Sequence, residues 1–224
     1  MRSRPISEIL IRTAVRAAAE RTDADLLGRF VCDRDAVAFE ALVRRHGPMV
    51  PSVCRRALGA TPDADDAFQT VWLVLVRKAR SIVPRAKVGN WLYGVAARTA
   101  AHTRARNARR HAAQRPLFDA SDARLPDPDA RDAAAAVDAE LMRLPERYRV
   151  VIVLCELESR SLRHVAEQLG LPPGTVASRL SRGRALLAAR LRARGFAALS
   201  GALAAAPVSA RLVSGTVSML HIGS

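Results

Sequence analysis

Cysteine, lysine and aromatic residues are all scarce in this sequence of 224 residues. The cysteines Cys32, Cys54 and Cys155 are odd in number and far apart, and none belongs to a CxxC pair. This spacing favours neither a zinc site nor a disulfide framework, and it predicts reduced, buried thiols in a cytoplasmic protein. The histidines also lack metal-ligand spacing, so we expect no metal and no cofactor.

Long apolar runs are missing as well. No stretch reaches the roughly 18 uninterrupted apolar residues that a membrane-spanning helix needs, and residues 1–21 lack the apolar centre of a signal peptide. We therefore expect no membrane span. Residues 196–224 are apolar, but Pro207 and Arg211 interrupt them, which favours a helix docked on the second half of the chain over a membrane segment.

Positive charge dominates the sequence. Its 36 Lys and Arg residues outnumber 21 Asp and Glu residues, which gives a formal net charge of +15 and a pI near 11.4. Such a charge indicates a polyanionic partner, of which nucleic acid is the commonest. Only Lys78 and Lys87 are lysines, and the abundant arginine suits paired hydrogen bonds to phosphate and guanine.

Residues 161–191 have the pattern of two short helices joined by a tight turn. Ser161 is the expected N-cap, and Gly170 is expected to end the first helix in a left-handed conformation. Pro172 and Pro173 then start the second helix. Helical spacing predicts that the first helix buries Leu162, Val165, Ala166 and Leu169, and that the second buries Val176, Leu180 and Leu187.

The outer face of the second helix carries Ser178 and Arg182, with Thr175 and Arg179 on one flank. Hydroxyl and guanidinium groups on one helical face are suited to the DNA major groove, where Arg bonds a guanine edge with two hydrogen bonds. The alternative is an ordinary helical hairpin with a solvated basic face.

Four short helices are predicted in the first half of the chain. Asp23 is expected to cap the first, and Asp33 or Asp35 the second, which ends at Gly47. Pro51 requires a kink or a late start of the third. The fourth begins with Thr61 as N-cap and Pro62 at the first position, and its expected inward residues are Ala64, Phe68, Val71, Trp72, Leu75 and Ala79.

The opposite face of this fourth helix presents Asp66, Gln69, Thr70 and Leu73. An outward leucine among acidic and amide groups fits a protein contact better than a DNA contact in so basic a chain. The alternative is a single exposed leucine without function, which is common.

A basic helix is predicted to follow from Trp91 onward. Leu92, Val95, Ala96 and Thr99 are expected to face inward, whereas Trp91, Arg98, His102 and Arg109 share a neighbouring face in an arginine-rich stretch. An aromatic ring beside guanidinium groups is what single-stranded DNA binding requires. The alternative places Trp91 in the core and leaves the arginines as a solvated face.

Residues 116–132 are rich in proline and aspartate, which predicts a flexible linker that forms no packed element. Beyond it, a helix over 134–143 and a second helix with Pro145 at its first position lead to the helical pair. The predicted organisation is all-α, with the following parts: N-terminal extension 1–22, first domain 23–115, linker 116–132, second domain 133–195 and tail 196–224.

Motifs in both halves carry a resemblance to a known family. FEALVRRHGPMV, DADDAFQTVWLVL and NWLYGVAARTA are followed by LPERYRVVIVLCELE, AEQLGLP and GTVASRLSRGR in that order. Over residues 23–195 the chain resembles bacterial RNA polymerase sigma factors of the extracytoplasmic-function (ECF) type, which consist of regions 2 and 4 joined by a linker. One departure follows WLYxxA, where Ala97, Arg98 and His102 stand at positions that usually carry Arg-Asn and, four residues on, Asp.

The resemblance implies core RNA polymerase and promoter DNA as partners, and it leaves an anti-sigma protein open. The implied docking points on the polymerase are the β′ clamp helices and the β flap. The residues implied to contact the β′ clamp helices are Asp63, Asp66, Gln69 and Leu73. The residues implied to bind the minus-ten promoter element are Asn90, Trp91, Arg98, His102, Arg106 and Arg109. The residues implied to bind the minus-thirty-five promoter element are Thr175, Ser178, Arg179, Arg182 and Arg184.

Two other classes of function are weighed beside this one. A stand-alone helix-turn-helix regulator would bind DNA tightly without polymerase, and the face at Asp66 and Gln69 would then have no partner. A DNA-acting enzyme would need clustered carboxylates or a supported nucleophile, whereas the acidic residues concentrate in the linker and at one helix start. We therefore expect no catalytic residue.

Overall fold

The computed structural model describes residues 20–113 and 128–196, with the backbone alone described for residues 128–132. Every regular element in these ranges is helical, so the all-α prediction is confirmed there. The predictions for the N-terminal extension up to residue 19, for linker residues 116–127 and for the tail beyond Phe196 lie outside the described residues.

Five helices form the first module: α1 (Asp23–Asp33), α2 (Ala36–His46), α3 (Met49–Leu58), α4 (Pro62–Lys78) and α5 (Val88–Ala113). Two short 3-10 turns, Ala79–Ser81 and Arg85–Lys87, connect α4 to α5. Helix α5 packs against both α3 and α4, so it is the central helix of the module.

The start of α1 differs from the prediction. Thr22, not Asp23, is the N-cap, because its side chain accepts a hydrogen bond from the backbone amide of Asp25 at 3.1 Å. The Asp25 carboxylate in turn accepts a hydrogen bond from the backbone N–H of Thr22 at 3.4 Å, which completes a capping box. Asp23 lies one residue inside the helix, where its buried carboxylate pairs with Arg45 at 2.6 Å instead of capping the helix.

The next three helix starts follow from recognisable residues. Asp35, one of the two predicted candidates, is the N-cap of α2. Helix α3 begins at Met49, so Pro51 lies in the first turn, where a missing N–H loses no intrahelical bond. Of the two outcomes that Pro51 required, the late start is observed. Thr61 and Pro62 occupy the N-cap and first position of α4, as predicted.

An aromatic cluster fills the core of the first module. The ring centroids of Phe30 and Phe39 are 4.9 Å apart, and Trp72 packs edge-on against Phe39 and Phe68 at 6.1 and 6.0 Å. Edge-to-face contacts of this kind add about 0.5–1.5 kcal/mol beyond the apolar area that they bury. All six residues predicted to face inward on this fourth helix are buried, and the last of them, Ala79, lies in the 3-10 turn that follows α4.

Four helices form the second module: α6 (Pro128–Arg143), α7 (Glu146–Ile152), α8 (Leu162–Leu169) and α9 (Pro173–Ala193). A π-helical segment, Val153–Leu157, continues α7, so the apolar run VVIVL is helical as predicted. All five side chains of this run are buried, and α9 packs against α7.

Two boundaries in this module were predicted wrongly. Helix α6 begins at Pro128, inside the predicted linker and before the expected start at Ala134. A proline at the first helical position has no hydrogen bond to lose, and acidic residues are favourable in a first turn, so this composition is compatible with a helix start. Pro145 is the N-cap of α7 rather than its first residue, because its ψ of 138° is extended.

The predicted helical pair is present as α8 and α9. Ser161 accepts a hydrogen bond from the amide of His164 at 3.2 Å, and Gly170 ends α8 with φ +62°. The prediction that Leu162 is buried is wrong, since 40% of it is exposed. Leu162 starts the helix, and the chain reaches the core only at the following turn, where Val165 and Ala166 are buried.

The two modules are in contact through α6, which packs on α3 and α5. Asp138 of α6 is buried and accepts two hydrogen bonds from the Arg56 guanidinium, at 2.9 and 2.8 Å. The buried Tyr93 hydroxyl of α5 donates to the same carboxylate at 2.9 Å. A fully partnered buried carboxylate therefore joins two modules that were predicted as domains connected by a flexible linker.

The three cysteines have different surroundings, and all are free thiols. Cys54 is buried, and this burial raises the pKa of its thiol to about 12. Cys155 is half-buried, and partial burial also raises its pKa. Cys32 is exposed on α1, so the prediction of buried thiols is wrong for this residue.

Candidate nucleic-acid interfaces

The outward face of α9 is polar and basic. Ser178 and Arg182 are exposed, and Thr175 and Arg179 are partly exposed beside them. The Ser178 hydroxyl donates to the backbone carbonyl of Thr175 at 3.0 Å. Within the described part of the chain neither Arg179 nor Arg182 forms an ion pair, so both guanidinium groups are available to an external anion.

Arg184 differs from the other predicted residues of α9. It is exposed, but its guanidinium is paired with Glu156 of the π-helical segment. This pair holds Arg184 against the body of the second module. Its predicted contact with DNA would require the guanidinium to leave Glu156.

Gly183, which was not among the predicted site residues, sets the position of α9 on α7. A Cβ at this residue would lie 2.9 Å from Cδ1 of Ile152 and 3.2 Å from Cβ of Tyr148. The glycine therefore permits a closer approach of the two helices than any other residue. A glycine inside an otherwise helical pattern is the sequence signal that indicates such a contact.

The basic face of α5 lies along the outside of the first module. Arg98, His102, Arg106 and Arg109 are all exposed. Over this span a helix rises about 16 Å, so the side chains form an extended cationic strip. Trp91 is partly buried and packs against the core, which leaves only part of its ring for contact with a base.

Asn90 does not belong to this exposed strip. Only 7% of it is exposed, and its side-chain oxygen accepts a hydrogen bond from Nε of Arg149 at 3.3 Å. Arg149 belongs to α7 of the second module and also donates to the carbonyl of Met142 at 2.8 Å. In this arrangement the second module covers the Asn90 side chain, which was predicted to contact DNA.

The outward face of α4 has the composition that the sequence predicted. Asp66 is exposed, Gln69 is partly exposed and Leu73 is 42% exposed. Asp63 is tied to α5, because its carboxylate accepts a hydrogen bond from the Asn107 amide at 2.8 Å. The free part of the face is therefore centred on Asp66 and Leu73.

Charged side chains from both modules also meet beside α1. We call this group the charge cluster, and it consists of Asp23, Arg45, His46, Glu158 and Arg160. Arg160 lies 3.1 Å from Asp23 and 2.7 Å from Glu158, and it bridges the two carboxylates. Nε2 of His46 lies 3.5 Å from the Asp23 carboxylate. Sequence patterns gave no signal for this cluster, because its members come from distant elements.

Burial and charge act in opposite directions on the pKa values of this cluster. Burial alone raises the pKa of Asp23, but the positive charges of His46, Arg160 and Arg45 outweigh it and hold that pKa far below its usual range. Burial alone lowers the pKa of His46, but the carboxylates of Glu158 and Asp23 raise it to about 9. At neutral pH the cluster therefore contains a charged imidazolium between two carboxylates.

Among the described residues, no group of three or more His, Cys, Asp or Glu side chains is placed to hold a metal ion. None of the helices described here combines the length and apolar character needed to cross a membrane.

Two family models match the chain, and each falls within one module. The model of sigma-70 region 2 matches residues 42–110, from α2 to α5. The model of sigma-70 region 4 matches residues 134–187, from α6 to α9.

Curated relatives match most of the chain. The ECF RNA polymerase sigma factor SigM of Mycobacterium tuberculosis is 37% identical over 170 residues, which cover 75% of this chain and 84% of SigM. The ECF sigma factor SigW of Bacillus subtilis is 28% identical over 178 residues, which cover 70% of this chain and 91% of SigW. The chain belongs to the ECF sigma factors of the sigma-70 family, which direct RNA polymerase to promoters.

A solved structure is also similar to this chain. It is that of CnrH in complex with the cytosolic domain of CnrY, with 25% sequence identity and a TM-score of 0.36. The match covers 76% of this chain and 97% of CnrH.

Proposed function

We propose that three separate faces divide the work of promoter recognition. The α4 face around Asp66, Gln69 and Leu73 docks on the β′ clamp helices of core RNA polymerase. The basic strip of α5 binds and melts the minus-ten element. The outer face of α9 reads the minus-thirty-five element, while the second module contacts the β flap.

The contrast in charge between these faces is the observation that carries the proposal. Asp66 and the exposed Leu73 form an acidic and apolar face on a chain whose net charge is +15. Such a face repels DNA and suits a protein partner, whereas the strips on α5 and α9 attract phosphate. One chain thus offers one protein-binding face and two DNA-binding faces.

The proposed role of α9 follows from the geometry of helices in the major groove. Arg182 and Arg179 present guanidinium groups that can bond O6 and N7 of guanine together. Thr175 and Ser178 lie near the N-terminal end of the helix, where hydroxyls and the positive end of the helix dipole favour phosphate. Val176 and Leu180 on the opposite side anchor the helix in the module.

The proposed role of α5 requires a base to leave the duplex. Extracting a base costs a few kcal/mol, which stacking and ionic contacts must offset. Trp91 supplies the ring, and Arg98, Arg106 and Arg109 supply positive charge along the strand. Asn90 joins this site only when Arg149 moves away from it.

Neither DNA contact needs to be strong alone. Polymerase holds both modules near one promoter, so the second contact forms at high effective concentration once the first has formed. In this role the chain carries out no bond chemistry and acts in the cytoplasm beside the polymerase. An anti-sigma protein that occupied the α4 face would block docking, and co-purification in the absence of core polymerase tests for one.

Co-purification with core RNA polymerase, followed by run-off transcription on genomic fragments, tests the proposal. Asp66→Arg should abolish both polymerase binding and transcripts, because it reverses the charge at the centre of the docking face. Asp33→Arg makes the same change at an exposed residue of α1 and should leave both intact. Unaltered binding in Asp66→Arg would reject this face, and tight specific DNA binding without polymerase would favour a stand-alone regulator.

A further inference from the structure

An apolar groove lies where the two modules meet and where α9 ends. It is a cavity of about 600 Å³, and half of its lining residues are alanines from α3, α5 and α6. Ala101 of α5 and Ala139 of α6 are exposed lining residues, and Phe196 also lines the groove. Covering this apolar lining with other apolar atoms removes it from water, which is favourable.

The chain itself is directed into this groove at the end of α9. Gly195 adopts φ +86°, and the Phe196 amide donates back to the carbonyl of Leu191 at 3.0 Å. The Gly195 amide donates to the carbonyl of Arg192 at 2.9 Å, which completes a Schellman turn. This turn reverses the chain and places Phe196 against the core, where it lines the groove.

The sequence that follows Phe196 matches the groove in polarity. Residues 197–206, AALSGALAAA, contain no charged side chain and end before Pro207. Phe196, Leu199 and Leu203 have i, i+3, i+7 spacing, which places them on one face if the segment is helical. The small residues between them permit close contact with a wall of alanine methyl groups.

We propose that residues 197–206 occupy this groove, with Leu199 and Leu203 extending the apolar contact that Phe196 begins. The segment starts one Cα step, about 3.8 Å, from a residue that lines the groove. Its local concentration there is therefore far higher than that of a second copy or of another protein. Because the groove is built from both modules, the bound segment holds them together.

The bound segment also lies against part of the α5 face. Arg98 lines the groove, and it is one of the residues assigned to the minus-ten element. This consequence, unlike the docking itself, rests on the proposed function. It predicts that removal of residues 197–224 strengthens binding of the chain to single-stranded minus-ten DNA.

Hydrogen exchange on the full chain, followed by mass spectrometry, tests the docking directly. The amides of residues 197–206 should exchange at least tenfold more slowly than those of residues 208–224. Ala101→Trp fills the groove with an indole and should remove this protection. Ala189→Trp makes the same change at an exposed alanine of α9 outside the groove and should preserve it.

A second pair of variants probes the segment itself. Leu203→Asp should release residues 197–206, whereas Leu212→Asp, beyond Pro207, should not. Equal exchange on both sides of Pro207 in the unaltered chain would overturn the proposal, as would protection that survives Ala101→Trp. Protection that disappears on dilution together with a dimer, or that appears only with phosphatidylglycerol vesicles, would assign the groove or the segment to another partner and equally reject it.

The docking of residues 197–206 and the assignment of the three faces can each be rejected without the other. Loss of polymerase binding in Asp66→Arg concerns the α4 face and leaves the exchange result untouched. Rapid exchange of residues 197–206 would remove the docking proposal and leave the assignment of the three faces as it stands.

Discussion

His46 and Glu158, which are 112 residues apart in sequence, share a hydrogen bond of 2.6 Å between Nδ1 and Oε1. His46 ends α2 in the first module, and Glu158 follows the π-helical segment in the second. Both side chains are buried. This polar link between the modules is thus a charged pair, which depends on pH in a way that apolar packing does not.

The first prediction concerns this pH dependence. The carboxylates of Glu158 and Asp23 overcome burial and raise the pKa of His46 to about 9, above its unfolded value near 6.5. A raised folded-state pKa stabilises the protein fully below the unfolded pKa, and this stabilisation is lost as pH rises through 9. At about 1.4 kcal/mol per unit, the loss is on the order of 3 kcal/mol.

Urea unfolding between pH 6 and 10 measures this effect. The free energy of unfolding should fall across that range in the unaltered chain and much less in His46→Gln, which has no imidazole to titrate. His102→Gln removes an exposed histidine and should keep the original profile. Parallel profiles for the unaltered chain and His46→Gln would contradict the prediction.

The second prediction concerns Asp138. Its carboxylate is the partner of both Arg56 and Tyr93, so Asp138→Ala leaves a buried guanidinium and a buried hydroxyl unpaired. Breaking a buried pair in this way costs about 3–5 kcal/mol of stability. Urea denaturation should show this loss for Asp138→Ala, whereas Asp33→Ala on the surface should change stability by less than about 0.5 kcal/mol.

The third prediction uses two glycines of α9. Gly183→Leu should destabilise the second module by about 1–3 kcal/mol or more, because the new side chain overlaps Ile152 and Tyr148. Gly174→Leu should be neutral or slightly stabilising, because an added Cβ there meets no atom within 4 Å. Thermal unfolding compares the two variants, and equal melting temperatures would refute the close contact of α9 with α7.

The fourth prediction concerns reading of the promoter by α9. Arg182→Ala should cost about 1–3 kcal/mol of promoter binding and relax preference at one minus-thirty-five position. Arg192→Ala removes an exposed arginine near the other end of the same helix and should keep the preference. Run-off transcription on promoters substituted at single positions measures both, and an unchanged preference in Arg182→Ala would reassign the reading residue.

The spacing of apolar residues predicted a helix and its buried face correctly where all residues of that face follow one helical period. The buried side of α4 is the clearest case, since all six expected residues are buried there and Leu73 is exposed. The predicted turn of the helical pair is confirmed at Ser161 and Gly170, because capping depends on residues within one turn of each other.

Predictions failed where a side chain had a stronger partner than its neighbours in sequence. Asp23 was expected to cap α1, but its carboxylate pairs with Arg45 and Arg160 inside the charge cluster. The DNA contact of Asn90 stays a prediction, and the structure adds that its side chain accepts a hydrogen bond from Arg149 of the second module. Contacts between elements that are distant in sequence leave no periodic signal. The contacts between the two modules and the role of Gly183 could therefore not be predicted from the sequence.

The unequal surroundings of the three thiols have a practical consequence. Cys54 is buried and keeps its proton up to about pH 12, and Cys155 is also half-covered with a raised pKa. A maleimide dye at neutral pH should therefore react at Cys32 of α1, which lies open to solvent. Without any substitution, the first module thus carries a single attachment point for a fluorophore that reports its distance from a labelled promoter.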